Sequence, residues 1–279
     1  MSAVQLLIKR IEKPWGRYTL WPGFSDPAVN AEPIGEIWFD AGSGQSPELL
    51  IKYLFTSDRL SIQVHPDDVA AKAAGFARGK DEAWIILAAE PGAVIGLGTC
   101  VPISRQALHS SALDGSIVDV IDWKRVKAGD IFYSPAGTVH AIGAGITLIE
   151  VQQNVDLTYR LYDYSRPRDL HLDAGIAVAD PVPFEARGVI ETVSAGREIL
   201  VRGGKFVIER WRWAGQRSLS LPRGLTAWVI AVTGTGMINN DKWCAGQCWM
   251  IDIDARIMMS PGSELLLAYP LPDPINMFD

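Results

Sequence analysis

The sequence predicts an all-β fold, two β-barrels or jelly rolls in tandem with small helical insertions. Three observations carry that expectation. Apolar runs of about four to eight residues recur along the chain between turns marked by glycine, proline and aspartate, the signature of short strands. Only two stretches, Asp67 to Ala77 and Ser104 to Leu113, read as helices, and both are too short to build a core. After Pro181 and Pro183 the composition resets, which predicts a boundary near residues 185 to 195 and two units, 1–190 and 191–279.

The bulk numbers narrow the function classes. A chain of 279 residues with 48% hydrophobic and 21% charged content has enough apolar material for a soluble core. Its net charge of -6 excludes a general nucleic-acid or anionic-membrane surface, so a basic cluster would serve a small anionic ligand. No apolar run approaches the roughly 20 residues of a membrane span. In the N-terminal stretch Lys9 and Arg10 follow the apolar residues, the wrong order for a secretory signal, and a cytoplasmic location is expected. Cys100, Cys244 and Cys248 are too few for a disulfide framework and read as reduced thiols.

From Lys13 to Asp40 the chain reads as loop-rich, broken by Pro14, Pro22, Pro27 and Pro33, before a strand opens at Gly35. Trp15 precedes a turn glycine there, and Glu36 puts a carboxylate at the mouth of an apolar strand, where it needs a partner or solvent. The strand Leu49 to Phe55 is interrupted by Lys52, which must snorkel outward or point into a polar cavity. Next comes Leu60-Ser61-Ile62-Gln63-Val64-His65-Pro66. Residues two apart on a strand share a face, so Gln63 and His65 aim together while Ile62 and Val64 pack the other side. That is either half of a metal site or a hydrogen-bonded core pair. After the short helix the sheet resumes at Lys80, with Glu82 at the strand entrance.

Gly129, Pro135, Gly137 and His140 have the spacing of the second cupin motif, a turn glycine, a strand, a Pro-x-Gly turn and a return strand carrying a histidine inward. The asparagine that often ends that motif is replaced by Ala144. The resemblance implies a cupin barrel in which His140 joins Gln63, His65 and Glu82 in a shell of two histidines, one glutamate and one glutamine. In the strand that follows, alternation groups Leu148, Glu150 and Gln152 on one face. Residues 191–279 alternate strands with glycine turns and hold no histidine, so a second cupin-like unit without a metal is expected.

Four segments, Gln63-Val64-His65-Pro66-Asp67-Asp68, Lys80-Asp81-Glu82, Gly137-Thr138-Val139-His140-Ala141 and Gln152 to Arg160, make residues 13 to about 175 resemble the type I mannose-6-phosphate isomerase family in its short bacterial form. The resemblance implies one zinc ion on Gln63, His65, Glu82 and His140. It also implies a pocket containing Trp15, Glu36, Lys52, Ser61, Lys80, Glu150, Arg160 and Arg166. Ile142 stands where some relatives carry a tyrosine. The implied reaction interconverts mannose 6-phosphate and fructose 6-phosphate by moving a proton through an enediolate. Arg160 would face the developing charge, Glu150 would act as base with Lys80 as the alternative, and Arg166, Lys52 and Ser61 would hold the phosphate. Against this, Arg160 and Arg166 can instead pair with Asp163 or Asp169. A small sugar phosphate is the expected partner, with oligomeric state, sugar preference and pathway left open. A cupin dioxygenase and a non-catalytic sugar-phosphate-binding cupin remain as alternatives.

Overall fold

The computed structural model describes residues 3–42, 46–184 and 190–278. Residues 185–189 of the expected boundary therefore lie outside the described residues. The architecture is all-β, with four antiparallel sheets among the described residues. A six-stranded sheet runs Leu7–Arg17, Ile34–Asp40, Leu49–Thr56, Ile146–Gln153, Glu82–Ala89, Ile131–Ser134 in spatial order. Facing it is a five-stranded sheet of Tyr159–Tyr162, Ile62–Val64, His140–Ile142, Val94–Thr99 and Ile121–Arg125. Later in the chain, a seven-stranded sheet faces a four-stranded one in the same way.

Side-chain alternation decides how these layers stack. On Leu49–Thr56, Ile51, Tyr53 and Phe55 point away from the first barrel, and Lys52 and Leu54 point into it. The outward set joins Ile37, Ile149 and Val151 in one cluster with Ile208, Trp228, Ile230 and Leu266 of the seven-stranded sheet and Phe206 of the turn beside it. The two sandwiches thus share one continuous apolar core, in which each fully buried large side chain contributes about 1.5–3 kcal/mol. The inward set, with Trp84, Ile86, Ile95, Leu97 and Leu148, lines the interior of the first barrel. The strand Val4–Gln5 pairs with Trp249 and Met250 of the seven-stranded sheet before the chain enters the six-stranded one at Leu7.

Three local expectations change. Lys13 to Arg17 is strand rather than loop: Pro14 is tolerated because Leu7–Arg17 is the sheet edge and its register with Ile34 shifts through a bulge. The first helix spans Asp68–Ala73 and stops short of Ala77, because Gly75 turns into the left-handed region at φ 87°. A helix at Leu172–Val178 was not expected, since Gly175 in its middle lowers helix propensity. That glycine is there for packing: a Cβ on it would lie 2.5 Å from Leu161 Cδ2. This helix and Arg105–Asp114 cover the outer face of the five-stranded sheet.

Candidate metal centre and substrate pocket

Strand register assembles the site from two rungs. Across the five-stranded sheet Arg160, Gln63 and His140 are direct neighbours. Across the six-stranded sheet the rung is Trp38, Lys52, Glu150 and Trp84, with Gln152 and Glu82 paired one inward-facing position further on. The barrel closes these two rows onto one another.

His65, Glu82 and His140 are each no more than 2% exposed, and one ligand atom from each falls within 4.8 Å of the others. His65 Nε2 is 3.3 Å from Glu82 Oε1, and His140 Nε2 is 3.6 Å from Oε2. Each imidazole is fixed from behind, His65 Nδ1 by the Leu157 carbonyl at 3.0 Å and His140 Nδ1 by that of Thr138 at 2.9 Å. A carbonyl only accepts, so the ring protons sit on Nδ1 and both Nε2 lone pairs point at the centre, the usual backing of metal-bound histidines. Burial, followed by the Lys80 charge, pushes His65 down to about 3, and burial likewise lowers His140, so both rings stay neutral. Burial alone would raise Glu82, yet the Lys80 charge beside it holds it well below the usual carboxylate range. Neither of its oxygens is in a well-angled hydrogen bond, although Lys80 Nζ stands 2.7 Å from Oε1.

This donor set fits a divalent ion. Two neutral imidazole nitrogens and one ionised carboxylate, buried and with the carboxylate oxygens short of hydrogen bonds, are what a four-coordinate zinc takes. Gln63 stands beside this cluster, with Nε2 3.2 Å from His140 Nε2 and Oε1 accepting from Ser61 Oγ at 3.2 Å. Half a turn of the amide exchanges the two atoms and offers Oε1 as the fourth donor.

The centre forms the floor of a cavity of about 360 Å3 to which Gln63, Lys80 and Glu82 contribute. On one wall Lys52 Nζ stands 3.2 Å from Glu150 Oε1 and 3.9 Å from Glu36 Oε2, over the Trp38 ring. Trp84 Nε1 donates to Glu150 Oε2 at 3.1 Å, and Trp38 Nε1 donates to Glu36 Oε2 at 2.7 Å. Burial and then the Glu82 charge raise Glu150, with Lys52 and Lys80 opposing; Lys52, which burial would lower, is raised by Glu150 and Glu36. Trp15 and Ser61 also face the cavity.

The opposite wall holds Arg160 and Arg168. Arg160 donates to the Asp169 carbonyl at 2.7 Å and leaves its buried Nε without a partner. Arg166 is not on the cavity wall. It clasps Asp163 at 2.7 Å and donates to the Arg59 carbonyl, beside the Tyr164 ring. Asp163 also takes Arg168 at 2.5 Å, so one carboxylate holds two guanidinium groups, and Asp58 stands 3.7 Å from Arg166 as a second. Sequence reasoning missed Lys13, Trp38 and Arg168 as lining groups. The alternation Glu36, Trp38 was a usable signal for the second; Arg168 lies in a loop with no period to read.

No family model matches the chain. Two curated proteins are similar in sequence: mannose-6-phosphate isomerase of Streptococcus mutans serotype c, 36% identical over 243 residues that cover 77% of this chain and 74% of that protein, and mannose-6-phosphate isomerase ManA of Bacillus subtilis, 34% identical over 202 residues covering 67% and 64%. Among solved structures, the mannose 6-phosphate isomerase of Bacillus subtilis superposes with a TM-score of 0.81 at 25% identity over 96% of this chain and 99% of that one. A mutant phosphomannose isomerase of Salmonella typhimurium shares the fold, with a TM-score of 0.73 at 15% identity over 97% of this chain and 100% of that one.

Proposed function

The chain belongs to the mannose-6-phosphate isomerase family, and from that premise we propose that it interconverts mannose 6-phosphate and fructose 6-phosphate with one zinc ion on Gln63, His65, Glu82 and His140. It is an isomerase of the cupin fold. The observation that carries the finer reading is the buried His65, Glu82 and His140 cluster at the floor of a cavity with a Lys52–Glu150 pair on one wall and Arg160 and Arg168 on the other. When bound, zinc supplies a Lewis acid for a sugar oxygen.

The residues divide the remaining work. Moving a proton between C1 and C2 needs a base that reaches both carbons from one face, and Glu150 fits that role. Lys52 offsets the cost of its burial, and the Trp84 N–H fixes its plane, so the carboxylate is presented in one orientation. Lys80, whose ammonium is held by Glu82, is the alternative proton carrier for the sugar oxygens. Arg160, on the cavity lining, faces the enediolate charge, where a preorganised donor acts most strongly. For the phosphate we assign Arg168 ahead of Arg166, supported by its position on the cavity lining. Lys52 is committed to two carboxylates and serves the base rather than the phosphate. Ser61 orients Gln63, and Trp15, Glu36 and Trp38 shape the sugar-binding wall.

We further take residues 1–190 as the catalytic unit and 191–279 as a metal-free cupin-like unit, supported by the absence of histidine from the second. A cytoplasmic location is part of the same reading, supported by three cysteines held as free thiols. No described helix is long and apolar enough to cross a membrane.

A coupled assay for fructose 6-phosphate, run with zinc-loaded and chelator-treated protein on several aldose phosphates, tests the proposal. Turnover of mannose 6-phosphate that depends on zinc is expected. Binding without turnover would replace the enzyme with a sugar-phosphate receptor, and oxygen uptake with bound iron would replace it with a dioxygenase.

A further inference from the structure

The strand that carries Glu82 begins at a turn held by side chains outside the cavity together with main-chain bonds, among them the Lys80 N–H to the Pro66 carbonyl at 3.1 Å. Gln153 clamps Asp81 from both sides, its backbone N–H donating to the Asp81 carbonyl at 3.1 Å and its Oε1 accepting from the Asp81 N–H at 3.0 Å. Gln153 Nε2 donates to Asp68 Oδ1 at 3.1 Å, and the same oxygen accepts from the Gly79 N–H at 2.8 Å. The other oxygen, Asp68 Oδ2, receives Lys205 Nζ at 2.5 Å. Lys205 lies in the tight turn between strands Arg197–Arg202 and Val207–Trp211, part of the histidine-free half of the chain. A second contact from that turn reaches the same segment. Tyr133 donates to the Asp81 carboxylate, its ring lies 5.7 Å from Phe206, and a Cβ on Gly203 would come within 2.1 Å of that ring.

We propose that Lys205 is a positioning residue for Lys80 to Glu82, acting through Asp68 and Gln153, so that the C-terminal half helps hold the metal-binding carboxylate and its lysine in place. This rests on Glu82 as a metal ligand. The physical case is that Lys80 and Glu82 flank Asp81, whose backbone and side chain are both tied to groups that the 203–206 turn braces. Loss of the ammonium leaves one Asp68 oxygen facing solvent and frees the helix start, Gly79 and Gln153 to shift together. Outer partners of this kind tune a metal site without touching the ion.

The test compares Lys205→Met, which keeps the aliphatic stem, with Lys205→Arg and Tyr133→Phe in the full chain. Three quantities are read: amide exchange of peptides spanning residues 79–83, the rate of zinc release to a chelator, and kcat with KM. In Lys205→Met, exchange and zinc release should both rise about threefold to tenfold, less than the roughly tenfold or more of a direct outer-shell partner, with kcat reduced and KM little changed. Lys205→Arg should restore wild-type values, and Tyr133→Phe should release zinc about tenfold faster. Unchanged exchange and zinc release in Lys205→Met overturn the proposal. Faster exchange with unaltered zinc release and kcat also overturns it, leaving a surface clasp of no consequence for the site. A wild-type protein that takes up no zinc would fail the metal reading separately, and the exchange rates would still decide whether Lys205 orders the segment.

Discussion

Lys52 and Glu150 face each other in direct register on neighbouring strands, 3.2 Å apart, and both are less than a tenth exposed. Neither group has an inexpensive way to be charged alone in that position, so each depends on the other. Glu150→Gln keeps the shape and the Trp84 hydrogen bond but removes the carboxylate proposed as base. It should lower kcat by about 10²–10⁴ with zinc content unchanged. A loss below tenfold would move the role to Lys80. Lys52→Met should also lower kcat, and metal analysis beside the kinetics separates this from loss of the ion.

His140→Ala removes one of two imidazoles from a centre that Gln63 alone cannot rebuild. Zinc and activity should disappear together, while far-ultraviolet circular dichroism keeps its β signature because the surrounding barrel packs without the ion. Full zinc content in His140→Ala protein would show that the centre lies elsewhere.

The two arginines of the Asp163 clasp should behave differently. Arg168→Ala should raise KM for the phosphosugar more than it lowers kcat, since phosphate contacts exist in ground and transition states alike. Arg166→Ala should act more weakly on KM, and Arg160→Ala should fall mainly on kcat. Steady-state kinetics on the three variants decide the assignment, which reverts to Arg166 if that variant alone changes KM.

In chelator-treated protein, stability should fall with acid. Burial holds the folded His65 down to about 3 against 6.5 for the ordinary ring, so between those values the unfolded chain binds a proton that the folded chain refuses. The associated stability is complete above pH 6.5 and is lost progressively as pH falls toward 3. His140 acts in the same direction. Glu150 opposes it, because its raised folded carboxyl takes up a proton before the unfolded one does. Urea midpoints measured at pH 8, 6 and 4 should decline in that order, and a flat series would contradict the neutral buried histidines.

Far from the cavity, Glu209 is fully buried with Arg197 bidentate at 2.7 Å, Trp211 Nε1 at 2.9 Å and Tyr269 OH at 2.8 Å. Arg197→Met leaves that carboxylate without its cation and should cost about 3–5 kcal/mol in a urea titration. Turnover of the folded protein at low temperature should change less than about twofold, because none of these groups reaches the cavity.

Much of the centre was legible because strand alternation is a strict rule. Gln63 with His65, and Glu150 between Ile149 and Val151, follow from period two alone, and the Pro-x-Gly turn before His140 marks a return strand. Lys52 was legible as a residue that must snorkel outward or enter a polar cavity, but not as the partner of Glu150, since pairing across strands depends on register that local sequence does not encode. Arg166 was named and Arg168 missed for a related reason. Which one faces the cavity depends on a turn in which Tyr164 and Ser165 adopt φ of 52° and 60°, a conformation that side-chain chemistry alone does not announce. The edge strand through Pro14 was hidden because proline normally argues against a strand, and only its place at the sheet margin removes the objection.

The pairing of Val4–Gln5 with Trp249 and Met250 has a consequence for synthesis. Val4 and Gln5 find their ladder partners only once the chain has been made as far as Met250, and loop-closure entropy delays contacts so distant in sequence. The first barrel, by contrast, draws its strands from Leu7 to Tyr162 and can assemble while the rest is still emerging from the ribosome. Closure of the Val4–Gln5 strand is then a late event, and its unpaired edge is exposed until Trp249 and Met250 have emerged.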